Sequence, residues 1–169
     1  MKKIIIILFM VVVISVGINE KEHILIPDNA IRFRVIANSD SIEDQKLKLS
    51  IKNDVEKELY ALISNAKDIE EARNIINNNI NKVDSILNDY NVEYDISYGD
   101  NYFPTKEYKG ITYKSGNYES LVITVGEGLG KNWWCVLFPP LCLLDEQKNL
   151  SNAEYEFYAT KIINKFRNN

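Results

Sequence analysis

The stretch Val92-Glu93-Tyr94-Asp95-Ile96-Ser97-Tyr98 alternates apolar or aromatic residues with polar ones without a break. Successive side chains of a strand point to opposite faces. This period of two therefore predicts a half-buried β-strand whose covered side carries Val92, Tyr94, Ile96 and Tyr98. The sequence before it has a different period. Leu47, Ile51, Val55, Leu59 and Leu62 recur at helical spacing, and so do Ile69, Ala72, Ile76, Ile80, Val83 and Leu87. Asp40 with Glu43, or Ser41 with Asp44, is placed to cap the first helix, and Asp68 with Glu71 the second. Only Ser64–Lys67 separates them, which makes the two helices antiparallel neighbours.

After the strand, Gly99-Asp100-Asn101 reads as a turn and Phe103-Pro104-Thr105-Lys106 as the start of a loop. Ile111–Lys114 is a short strand, and Ser115-Gly116-Asn117 a hairpin turn before the β-branched strand Tyr118–Val125. Gly126, Gly128 and Gly130 form a loop ahead of a further strand, Asn132–Phe138. A last amphipathic helix sets Tyr155, Tyr158, Ile162 and Phe166 on one side. Near the beginning, Ile31, Phe33 and Val35 alternate with Arg32 and Arg34, which gives one more strand. The order predicts an α+β fold: an antiparallel sheet of about four to five strands, with the helical hairpin and a C-terminal helix packed on one face.

The N-terminus belongs to another class. Lys2 and Lys3 precede an unbroken apolar run from Ile4 to Ile14 that continues to Ile18, the pattern of a secretory signal. As a helix, residues 4–18 span only ~22 Å, short of the ~30 Å hydrocarbon core of a bilayer. Ser15 and Gly17 offer small residues for cleavage after Gly17, but retention as a tilted anchor stays open. Residues 1–18 are thus a signal peptide or short membrane anchor, in contact with a membrane during export or afterwards. Residues 19–29, with Pro27 and the single histidine His23, read as a linker, and residues 30–169 as one domain. The formal charge of −4 comes with no basic run, so the chain has no footprint for nucleic acid.

Cys135 and Cys142 are the two cysteines. In an exported chain an even count favours a disulfide, provided that Pro139-Pro140 reverses the chain and brings the Cα atoms within ~7 Å. Two buried thiols are the alternative. One histidine and one cysteine pair make no ordinary metal site, and no cofactor is expected. The loop Gly126-Glu-Gly-Leu-Gly-Lys131 fails as a phosphate cradle: Val125 stands where the first glycine belongs, and Asn132 replaces the required Ser or Thr. With His23 outside the domain, no Ser-His or Cys-His pair can form inside it, so no catalytic residue and no enzyme is expected.

Lys131-Asn-Trp-Trp-Cys-Val-Leu-Phe-Pro-Pro-Leu-Cys-Leu-Leu144 is the least ordinary segment. Adjacent tryptophans on a strand face opposite ways. Trp133 and Trp134 are therefore either core residues on two covered faces or, for one of them, an anchor for a partner. Gly130–Cys142 resembles the signature of the stage II sporulation protein R family. Ile31-Arg-Phe-Arg-Val-Ile-Ala-Asn-Ser-Asp40 with Asp44-Gln45, Phe103–Lys106 and Ser115–Leu121 resemble three further stretches of it. The resemblance implies a sporulation signalling domain, secreted from the forespore into the space between the forespore and mother-cell membranes. Its implied partner is a membrane-embedded aspartic protease that processes pro-sigma-E. The contact residues expected on this reading are Trp133 and Trp134 with Asn132, and, beside them, Asn38, Ser39 and Asp40. The alternative is a secreted cell-envelope hydrolase, which needs a pair of carboxylates in a cleft.

Overall fold

A computed structural model describes residues 30–108, 111–142 and 152–167. The expected signal or anchor (1–18) and linker (19–29), with His23, lie outside the described residues. Among the described residues no helix is long and apolar enough to cross a membrane.

Strand β1 (Ile31–Ile36) leads into helix α1 (Ile42–Ile63) and helix α2 (Ile69–Asn88). Ser41, one of the two alternatives, caps α1, its Oγ accepting from the Asp44 N–H at 3.1 Å. Asp68 caps α2 in the same way through the Glu71 N–H at 2.8 Å. The Glu71 carboxylate reaches one residue beyond the cap and accepts from the Lys67 N–H. Ile51, Val55, Leu59 and Ile63 of α1 and Ala72, Ile76, Val83 and Leu87 of α2 are buried. They pack on Phe33, Val35, Leu121 and Ile123 of the sheet.

Strands β2 (Tyr94–Phe103), β5 (Gly116–Val125) and β6 (Asn132–Phe138) complete a four-stranded sheet in the order β2-β5-β1-β6. Between β2 and β5, β3 (Lys106–Tyr108) and β4 (Ile111–Tyr113) pair as a separate two-stranded ribbon. The four-stranded sheet is antiparallel in two of its pairings, but β1 runs parallel to β5. Alternation tells which face a residue takes but not which way a distant neighbour runs, so this pair lay beyond local patterning.

Two expected turns are strand instead. Gly99, Asp100 and Asn101 pair with Ser120, Glu119 and Tyr118, and Gly116 and Asn117 pair with Phe103 and Tyr102. The turn-forming residues are satisfied across the ladder: the Asn101 amide donates to Ser120 Oγ at 3.0 Å. Ten cross-strand partners outweigh a local turn preference.

The last helix, α3 (Asn152–Arg167), covers the face away from the helical hairpin. Its Ala159 and Ile163 join Phe103, Trp134 and Val136 in a second core. Helices therefore lie on both sides of the sheet. The inward stripe also differs from expectation: Ala159 and Ile163 are buried, Tyr158 is exposed, and the Tyr155 side chain lies outside the described residues. Phe166 does turn inward, edge-on to Phe138 with ring centroids 4.9 Å apart.

Candidate functional site

At one end of the sheet the segment after β1 meets the glycine loop before β6. Asn38 holds both sides: its amide donates to Asp44 Oδ2 at 3.0 Å, and its Oδ1 accepts from the Glu127 N–H at 3.0 Å. Ser39 Oγ donates to the same Asp44 oxygen at 2.5 Å. Asp40 Oδ1 accepts from the Lys131 N–H at 2.7 Å. Backbone bonds close the seam, from the Leu129 N–H to the Asn38 carbonyl and from the Gly130 N–H to the Ala37 carbonyl. The sequence offers Asp40 as one of two caps for α1, and the structure gives that role to Ser41. The task of Asn38, Ser39 and Asp40 is to hold the loop and Asp44.

Two glycines make that shape possible. Gly126 adopts φ +55°, in the left-handed region that side chains disfavour. At Gly130 a Cβ would sit 2.2 Å from the Ser39 carbonyl oxygen. The seam is also polar below its surface. Lys48, buried on α1, donates to the Lys131 carbonyl at 3.0 Å and to Gln45 Oε1 at 2.6 Å. Burial lowers the pKa of its ammonium. The bonds from Ser39 and then Asn38 hold the Asp44 carboxyl below its ordinary value.

This end presents a mixed surface. Leu129 at the loop tip is 78% exposed and Ile42, at the start of α1, is 68% exposed. Asp40, Lys131 and Asn132 are exposed near them. Leu129 escaped the sequence reading; the signal was a lone large apolar residue among three glycines.

The tryptophans do face opposite ways. Trp133 is half-buried on the hairpin side, edge-on to Phe33 at 5.7 Å, with Lys52 Nζ 4.6 Å from its ring centre. Trp134 is 9% exposed in the second core, 5.3 Å from Phe103 and close to Arg32. Only Trp133 keeps a partly open side beside Asn132. Further along β6, Cys135 and Cys142 form a disulfide with Cα atoms 5.4 Å apart, so the chain reversal at Pro139-Pro140 does occur. Glu56 of α1 is buried against it and ion-paired with Lys52.

A groove of about 420 Å³ between the two helices is lined by Asp54, Lys57, Glu58, Asp89 and Tyr90. It is a cleft that contains acids, as the hydrolase alternative requires. Asp54, however, accepts from the Tyr90 hydroxyl at 2.6 Å, and Glu58 pairs with Lys82 at 3.2 Å. Burial and this bond push the Tyr90 hydroxyl up to about 12. Asp54 and Glu58 thus tie α1 to α2 and to Tyr90 just beyond it.

Comparison with known proteins gives a consistent result. The family described as Stage II sporulation protein R (spore_II_R) matches residues 27–148. The Stage II sporulation protein R of Bacillus subtilis (strain 168) is 42% identical over 142 residues, covering 80% of this chain and 62% of that protein. The chain therefore spans less than two thirds of that relative's length. No solved structure matches.

Proposed function

Because this chain belongs to the stage II sporulation protein R family, a sporulation role is its premise, and we propose that it acts there as an exported signal. It is delivered by residues 1–18 from the forespore into the space between the two membranes. There it binds a membrane-embedded aspartic protease of the mother cell, which then processes pro-sigma-E. On this reading the chain is a ligand, and the reacting carboxylates belong to the partner.

The family match carries this reading. Two features of the molecule support it. Two of the three acids that line the inter-helix groove, Asp54 and Glu58, are engaged in structural contacts. The family-like segments 31–40 and 130–142 meet at one end, where Leu129 is presented on a hydrogen-bonded loop. The contact patch is this end: Leu129, Asn132 and the open side of Trp133, with Asn38, Ser39 and Asp40 holding the loop. Trp134 contributes through the core. A ligand activates only by binding the active arrangement more tightly, and a shift from 1:99 to 99:1 needs about 5.5 kcal/mol of difference. A preformed loop adds to this because little ordering remains to be done on binding.

The test is to add the full chain to vesicles holding the protease and pro-sigma-E and to follow cleavage. Wild type is expected to stimulate it. Leu129→Asp, with an unchanged melting temperature, is expected to lower the stimulation at least tenfold. Absence of stimulation by the wild type sinks the reading; full activity of the variant moves the contact elsewhere.

A further inference from the structure

The disulfide has a neighbour that it does not need. Glu56, 3% exposed, places a carboxylate oxygen beside the sulfurs of Cys135 and Cys142, which are 4% and 2% exposed. The three ligand atoms lie within 4.8 Å of one another. Nothing in a disulfide calls for a buried carboxylate, and burying one is costly even when it is paired. Two thiolates and a carboxylate are, however, a donor set for a zinc ion.

We infer that the reduced chain binds one Zn²⁺ through Cys135 Sγ, Cys142 Sγ and a Glu56 oxygen. Zn–S and Zn–O bonds of about 2.3 and 2.1 Å put these tetrahedral ligand atoms about 3.6 to 3.8 Å apart. Breaking the S–S bond frees the two sulfurs to separate to that spacing, from Cα atoms 5.4 Å apart and with the Glu56 oxygen already within 4.8 Å. Charge closes as well. In the disulfide state the Glu56 carboxylate is balanced by the Lys52 ammonium. Reduction and metal binding add two thiolates and one dication, so the buried site is neutral in both states. Lys52 then stands behind the ligating carboxylate, as outer partners of metal sites do.

The step balances. A dithiol gives two electrons and two protons to the S–S bond, leaving two thiols and its own disulfide. Zn²⁺ then displaces the two thiol protons to solvent. Both states tie the end of β6 to itself, and the zinc state adds α1. The inference stands on this geometry and does not depend on the proposed signalling role.

The experiment reduces the full chain with a phosphine, removes the reductant without oxygen, and titrates Zn²⁺ against a chromophoric chelator. One equivalent per reduced chain is expected, and none for the oxidised chain. Glu56→Gln, checked for its fold by circular dichroism, is expected to bind at least tenfold more weakly. Cys135→Ser with Cys142→Ser is expected to abolish competition. X-ray absorption on the zinc-loaded wild type, independent of any variant, should show two sulfur ligands. No competition by the reduced chain, equal binding by the oxidised chain, undiminished affinity in Glu56→Gln, or a sulfur-free metal shell would each overturn the inference.

Discussion

The guanidinium carbon of Arg32 lies 3.4 Å from the centre of the Tyr118 ring. Phe103 and Trp134 stand 5.1 and 5.3 Å away. In the sequence Arg32 marks the polar side of β1, but with 1% exposure it sits inside the second core. A planar, weakly hydrated cation can stack there, whereas a lysine ammonium cannot reproduce that contact. Arg32→Lys is therefore expected to cost about 1–2 kcal/mol, read as a lower urea midpoint with an unchanged slope. An unchanged midpoint would mean that the aromatic contact adds nothing.

Asp44 makes the seam sensitive to acid. Its folded pKa is depressed, first by Ser39 and then by Asn38. Its contribution is thus fully present above the unfolded carboxyl value of about 3.9 and is lost as pH falls through the lower folded value. The wild type should lose urea resistance more steeply than Asp44→Asn as the pH falls below about 4. Parallel acid limbs for the two proteins would show that the bonds to Asp44 carry no net stability.

Close approach at the glycine loop gives a steric prediction. Gly130→Ala drives a Cβ to 2.2 Å from the Ser39 backbone oxygen, whereas at Gly116 the nearest atom is a Tyr118 ring carbon at 3.3 Å. Overpacking against backbone is expected to cost about 1–3 kcal/mol, and Gly116→Ala clearly less. Equal melting temperatures for the two variants would contradict the seam as described.

The tryptophans should separate stability from contact. Trp134→Ala empties part of the second core and is expected to cost about 3–5 kcal/mol. Trp133, only half-buried, should cost less. Thermal unfolding of both variants reads this difference. A Trp133→Ala variant less stable than Trp134→Ala would reverse the assignment of their surroundings.

Much of the scaffold was legible because it is local. Ser41 and Asp68 cap helices through bonds that reach only three residues, and β6 begins and ends where its composition changes. The rest depends on distant partners. The parallel β1–β5 pair, Asn101 bonded across to Ser120, and Glu56 beside the cysteines have no trace in spacing. The candidate site was half visible. Asn38–Asp40 and Asn132–Trp134 stood out as segments, but that they flank one loop rests on bonds such as Asn38 to Glu127, 89 residues apart.

The position of β1 has a consequence for how the molecule comes into being. The first strand among the described residues lies between β5 and β6, with Ile36 opposite Thr124 on one side and Asn132 on the other. Whether it leaves a ribosome or a translocation pore, a chain that emerges N-terminus first exposes Ile31, Phe33 and Val35 long before either neighbour arrives. Such distant pairings form late and leave sticky surface uncovered in the meantime. Assembly of the sheet therefore waits until residues up to Phe138 have emerged, and a chain stopped short of that point has no finished loop to offer. The surface at the glycine loop is thus defined only once β6 has taken its place beside β1.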